Sequence, residues 1–161
     1  MTDLALLQEA MALKALPRAG WKRVGVPSPE SVAAHSWGVA LTAAIRCPAH
    51  LDREKVLLMA LIHDLAEVRI GDITPHDGIV RQEKKRRETE AARALFGEHP
   101  ALLALWLEAD EQTSEEARFV KQCDLTDMGL QAQVYAAAGH ETSEFRTATA
   151  SHLGELAKSR G

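Results

Sequence analysis

"KVLLMALIHDLAEVRIGDI", residues 55–73, decides how the rest of the chain is read. Its apolar residues recur at three- and four-residue spacing, the period of a helix that buries one face. Val56, Met59, Ala60, His63 and Glu67 fall on one stripe; Leu57, Ala60, Leu61, Asp64 and Val68 fall on the adjoining one. An imidazole and two carboxyls therefore stand where a core helix should present hydrocarbon. Burying such groups without partners costs on the order of several kcal/mol each, so the sequence must supply something that pairs with them.

Working outward, almost every segment has helical periodicity. "TDLALLQEAMALKAL" predicts an amphipathic helix that stops at Pro17, and "PRAGWKRVGVPSP" is a Gly- and Pro-rich loop. Ser28, Pro29 and Glu30 give a cap, a first-turn proline and an acid, which predicts a helix start. That helix runs through "ESVAAHSWGVALTAAIR" to Pro48. Asp52 is placed to cap the third helix and Gly71 to end it. After the loop "GDITPHDGI" come the charged helix "VRQEKKRRETEAARALFG" and a shorter one from Pro100 to near Gln112. Thr113 and Glu116 have capping-box spacing ahead of "SEEARFVKQCDLTDMGLQAQVYAAAG". "SEFRTATASHLGELAKS" predicts a final amphipathic helix. With strand signals nearly absent, the expectation is an all-α bundle forming one domain over residues 1–161.

Composition narrows the function classes. The 161 residues are 46% hydrophobic and 26% charged with net charge −4, which gives no reason to expect polymeric nucleic acid as a partner. The basic run "EKKRRE" lies among Glu83, Glu88 and Glu90 in a helix, where intrahelical pairing accounts for it. "VLLMALI" is too short to span a membrane. Cys47 and Cys123 are far apart and no leader segment is legible, so the expected compartment is the reducing cytoplasm.

Two further ionisable residues join the pair in the third helix. His35 lies between Val32 and Val39 on an inward face, and Asp124 follows Val120 and precedes Met128 and Gln131. Taken singly, each could be a hydrogen-bonded core residue or a helix cap. Together, two His and two Asp from three distant helices point to a divalent metal, which takes neutral imidazole nitrogens and carboxylate oxygens and offsets buried negative charge. No cysteine accompanies them, which disfavours a thiolate zinc site.

The order His35, then His63-Asp64, then Asp124 resembles the H…HD…D signature of the HD-domain metal-dependent phosphohydrolases. More narrowly, "PRAGWKRVGVPSPESVAAHSW", "ALIHDLAEVRIGDITP", "EKKRRETEA" and "EEARFVKQCD" resemble the 5′-deoxynucleotidase branch and its HD-domain-containing protein 2-like relatives. The likeness runs from the first loop to Tyr135. Ala109 departs from it where an aromatic is expected, and Asp127 where Glu is usual.

The resemblance implies an HD-domain helical bundle, usually dimeric, that hydrolyses deoxyribonucleoside 5′-monophosphates with metal-activated water. By matching positions, His35, His63, Asp64 and Asp124 would be metal ligands and Glu67 and Asp72 catalytic. Arg18 and Trp21 would lie at the phosphate and sugar end, with Thr74 touching substrate from its loop. One divalent transition metal per subunit is expected, with Mn, Co, Fe, Ni or Zn all compatible with the ligand types. Each residue also has a simpler account. Glu67 could steady a ligand histidine, Asp72 could be a turn residue, Arg18 an exposed cation, and Trp21 and Trp37 plugs of the core. Lys84 and Arg87 could reach a phosphate if their helix overhangs the site. His50, His76, His99, His140 and His152 do not form the extra ligand set of a two-metal centre. Two other functions fit the same motif: hydrolysis of another phosphorylated metabolite or a nucleoside triphosphate, and a non-catalytic regulatory HD domain. Retention of all four ligand types and both candidate acids favours the enzyme.

Overall fold

A computed structural model describes residues 1–158, so Ser159, predicted to end the last helix, and the last two positions of the expected domain lie outside the described residues. Among the described residues there is no strand; an isolated bridge joins Pro17 to Ser31. The helices are α1 (Asp3–Ala10), α2 (Ala19–Arg23), α3 (Val32–Arg46), α4 (Arg53–Ile62), α5 (Glu67–Ile70), α6 (Arg81–Phe96), α7 (Pro100–Glu111), α8 (Glu115–Ala137) and α9 (Ser143–Lys158). Short 3-10 turns follow α1 (Met11–Lys14) and α5 (Pro75–Asp77). The fold is all-α.

The long α8 is the axis, packing against α3, α4, α7 and α9. Below the site, Val39 and Ala43 of α3 meet Val56, Met59 and Ala60 of α4 and Val120 and Cys123 of α8 in a common core. A second core joins the end of α4 to α6 and α7 through Ile62, Leu95, Phe96 and Trp106. α9 approaches α8 closely because Gly129 has no side chain: a Cβ there would lie 2.5 Å from Thr149 Oγ1.

Asp52 caps α4, accepting from the Lys55 N–H at 3.1 Å, and Gly71 ends α5 at φ 78°, ψ 169°. Elsewhere the structure corrects the expected boundaries. α3 is capped by Ser31, whose hydroxyl accepts from Ala34 N–H at 3.1 Å, rather than by Ser28. Glu30 is excluded from the first turn because its carbonyl takes the Arg18 N–H and its carboxylate takes the Trp21 indole N–H. Ser114, not Thr113, caps α8, and α2 forms inside the segment predicted as loop. Trp37 does not close the core; it is 68% exposed.

The most consequential correction concerns residues 55–73, which do not form one continuous helix. The backbone N–H groups of Leu65, Glu67, Val68 and Arg69 donate three residues back, a tightened 3-10 turn leading from α4 into α5. The His63 carbonyl takes the Trp106 indole N–H at 3.0 Å instead of a helical partner. α7 thus supplies the compensation for a break placed at the His-Asp pair.

Candidate metal centre

The sequence candidates converge from three directions. His35 arrives on α3, His63 and Asp64 on the α4–α5 turn, and Asp124 on α8. Both imidazoles are oriented by their Nδ1 atoms. His63 Nδ1 lies 2.8 Å from the Ala60 carbonyl, and His35 Nδ1 lies 2.8 Å from Asp127 Oδ2. Since both partners are acceptors, each Nδ1 carries the proton, which leaves each Nε2 free to offer a lone pair when the ring is neutral. Both Nε2 atoms are buried without a hydrogen-bond partner.

What faces those two nitrogens is carboxylate. Asp64 Oδ2 lies 3.2 Å from His63 Nε2 and 3.7 Å from His35 Nε2, and Asp124 Oδ1 lies 3.1 Å from His35 Nε2. Ligand atoms of His35, His63 and Asp64 all lie within 4.8 Å of one another. The other Asp124 oxygen accepts from Lys121 Nζ at 2.6 Å. Two orphaned imidazole nitrogens among carboxylate oxygens form an N/O donor set that fits a divalent cation. Without a cation, protons take that role. Burial alone would lower the His35 pKa, but Asp124 and Asp127 outweigh it and raise it to about 9. Burial would raise Asp64, but the neighbouring His63 and His35 hold it well below the usual carboxylate range.

The acids beside this set differ. Glu67, 6% exposed in the first turn of α5, has an Oε2 with no hydrogen-bond partner. Burial, with the charges of Asp64 and Asp72 behind it, pushes its pKa up to about 10. Asp72, just after Gly71, accepts from the Ala19 N–H at 2.8 Å. Arg18 stands between carboxylates, 3.9 Å from both Asp64 and Asp72, and is not the exposed cation of its simpler account. Burial opposes its charge, yet the surrounding acids keep its pKa raised. A cavity of about 470 Å³ opens over these groups, with Lys84 on its wall. Arg87 is instead paired with Glu83 at 2.7 Å.

Trp21 and Thr74 stand apart from the centre. Trp21 is 1% exposed and packs against Tyr135 and Phe145, with ring centroids 5.2 and 4.4 Å away. Both residues line a neighbouring cavity that shares Arg18 and Asp72 with the first. The Thr74 hydroxyl is occupied locally, donating to Asp77 Oδ2 and accepting from the His76 N–H. The candidate metal groups found among the described residues include none of His50, His76, His99, His140 and His152.

The sequence marks Asp127 as a departure from the family pattern and gives it no role there. Its carboxylate occupies space made by a glycine: a Cβ on Gly38 would lie 2.0 Å from Asp127 Oδ1. The available signal was its position one helical turn after Asp124 on the same helix.

The HD domain family matches residues 10–159, and the chain belongs to that family. Among curated relatives, 5′-deoxynucleotidase HDDC2 of Bos taurus is 42% identical over 137 residues, covering 82% of this chain and 67% of its own. 5′-Deoxynucleotidase YGK1 of Saccharomyces cerevisiae is 35% identical over 142 residues, covering 83% of this chain and 66% of its own. Among solved structures, a conserved hypothetical protein from Pyrococcus furiosus superposes with TM-score 0.83 at 32% identity, covering 96% of each chain.

Proposed function

We propose that the protein is a metal-dependent phosphomonoesterase hydrolysing deoxyribonucleoside 5′-monophosphates to deoxynucleoside and phosphate. The observation that carries the chemistry is the pair of orphaned Nε2 atoms of His35 and His63 facing Asp64 and Asp124 under an open cavity. The 5′-deoxynucleotidase relatives supply the substrate class.

His35, His63, Asp64 and Asp124 would hold one divalent transition metal, Mn, Co, Fe, Ni or Zn. When bound, such an ion supplies Lewis acidity toward water and phosphoryl oxygens. The remaining work belongs to side chains. Arg18 neutralises and orients the phosphate through its guanidinium fork. Asp72, fixed by the Ala19 N–H, orients the water that attacks phosphorus. As the bond from phosphorus to the 5′ oxygen breaks, that oxygen needs a proton. Glu67, with its unpartnered Oε2 beside the centre, is the residue placed to deliver it. Trp21 and Thr74 bound the sugar end, on the wall of the adjoining cavity.

The cytoplasm is the proposed compartment, supported by two buried free thiols, Cys47 and Cys123. A homodimer is proposed through α3, where Trp37, Leu41 and Ile45 are 68%, 44% and 69% exposed at four-residue spacing. Leu130 and Val134 are further exposed apolar residues on α8, which packs against α3.

The test is a panel of deoxyribonucleoside and matching ribonucleoside monophosphates with added Mn²⁺ or Co²⁺. Phosphate is expected from the deoxy series, and Asp64→Ala abolishes its release. Release from the ribonucleotides alone would overturn the substrate assignment while leaving the chemistry.

A further inference from the structure

We propose that Lys84 is a positioning residue for the reaction: by donating to the Ile73 carbonyl it holds the loop that carries Asp72 against the metal centre. This rests on the phosphomonoesterase reading above and adds to it the part of the fold that keeps the water-orienting acid in place.

Asp72 sits on a segment with little regular structure of its own. It follows Gly71, whose φ of 78° turns the chain out of α5, and precedes the short 3-10 turn Pro75–Asp77. An irregular loop of this kind stays fixed only where other elements hold it. On the α2 side, Asp72 Oδ2 accepts from the Ala19 N–H at 2.8 Å. On the α9 side, His76 Nε2 lies 3.2 Å from Glu144. From α6, Lys84 Nζ donates to the Ile73 carbonyl at 2.8 Å. The residue pinned by the lysine is thus the immediate neighbour of Asp72. Ile73 is 8% exposed, and the carbonyl of a buried residue needs a donor.

The helix itself gives no reason for a lysine at this position. α6 begins at Arg81 with no side-chain cap, and a cation near a helix N-terminus is opposed by the aligned peptide dipoles. Arg86 and Arg87 pair with Glu83 on the same helix and stay at the surface. Lys84 is instead half-buried on the wall of the cavity over the metal centre. Glu88, one turn further along α6, lies 3.6 Å from its Nζ and balances the charge there. The lysine is therefore held at both ends of its reach, by a carboxylate on its own helix and by a carbonyl of the acid's loop. A water-orienting carboxylate displaced by about 1 Å can cost on the order of 100-fold in rate, so a tie next to Asp72 bears directly on turnover.

The experiment replaces Lys84 with Met, which keeps an unbranched stem and removes the ammonium, and with Arg, which still donates to a carbonyl. With a deoxyribonucleoside 5′-monophosphate and saturating Mn²⁺, Lys84→Met should lower kcat by about 10–100-fold and change KM by less than about twofold. Lys84→Arg should recover most of that loss. In an Asp72→Asn background, Lys84→Met should have little further effect, because both changes remove one function. Apart from activity, Lys84→Met should speed amide hydrogen exchange in residues 71–77 by about tenfold and leave α8 unchanged. Unchanged kcat, or a raised KM with kcat kept, overturns the proposal. An equal loss in the Asp72→Asn background also overturns it, making Lys84 a direct contact of the phosphate. Exchange quickened throughout the chain overturns it in favour of a general role in stability. Absence of phosphate release from the wild type overturns the phosphomonoesterase reading instead. The exchange measurement then still decides the tie: faster exchange confined to the loop supports it, and unchanged exchange overturns it.

Discussion

His35 shows how much support one buried imidazole requires. It is fully buried, its Nδ1 is committed to Asp127, and its Nε2 faces Asp64 and Asp124. Asp127 fixes the tautomer that a ligand histidine needs, and such partners typically contribute about 10–100-fold to metal affinity. Asp127→Ala should therefore weaken metal binding by about that factor in a chelator-competition titration. Gly38→Ala should do the same from the opposite helix, because its methyl would displace the Asp127 carboxylate. Unchanged affinity in both would remove Asp127 from the account. Glu67 makes the opposite contribution to stability. In the metal-free protein its folded pKa is about 10, above the ordinary 4.5, so the folded state retains a proton that the unfolded state releases. Stability therefore declines as pH rises from about 4.5 toward 10. Glu67→Gln should raise the melting temperature of the metal-free protein at pH 7 and flatten that decline, while suppressing phosphate release. A lower melting temperature would contradict it.

At the level of elements, the legible features were those with a local chemical cause. Asp52 accepts the first-turn N–H, Pro100 opens α7, and Gly71 adopts a backbone conformation that side chains resist. The illegible ones depend on partners distant in sequence. The break after His63 is compensated by Trp106, 43 residues away, and Glu30 is drawn out of α3 by Trp21 and Tyr135. Periodicity aligned His63 with Glu67 on one helical face. The tightened turn changes that alignment, yet both residues still border the same cavity. Of the candidate site, the four proposed ligands were legible as polar interruptions of apolar stripes. Asp127 was not, because its role depends on an absent side chain on α3. Gly71 also positions the acid that follows it. Gly71→Ala should cost about 1–3 kcal/mol from its backbone angles alone, read by thermal or urea denaturation. It should also lower kcat by moving Asp72 from the Ala19 N–H. Wild-type stability in that variant would contradict the backbone assignment.

At the scale of the whole molecule, α3 leaves an apolar surface exposed. Trp37, Leu41 and Ile45 occupy the outer side of the helix whose inner side carries His35. Covering that surface with a second copy would make the back of the metal centre part of a dimer interface. Trp37→Glu should shift the protein to monomer in light scattering while preserving its helical content by circular dichroism. A wild-type protein that is monomeric at all accessible concentrations would contradict this. The central claim, that four side chains from three parts of the fold hold one ion used for phosphate ester hydrolysis, has a more direct test. Metal-free protein is titrated with Mn²⁺ while bound metal and phosphate released from a deoxyribonucleoside 5′-monophosphate are measured together, for the wild type and Asp64→Ala. The account predicts that wild-type release rises with bound metal and levels off at one ion per chain, with Asp64→Ala losing both. One tightly bound ion per wild-type chain with no phosphate released would contradict it.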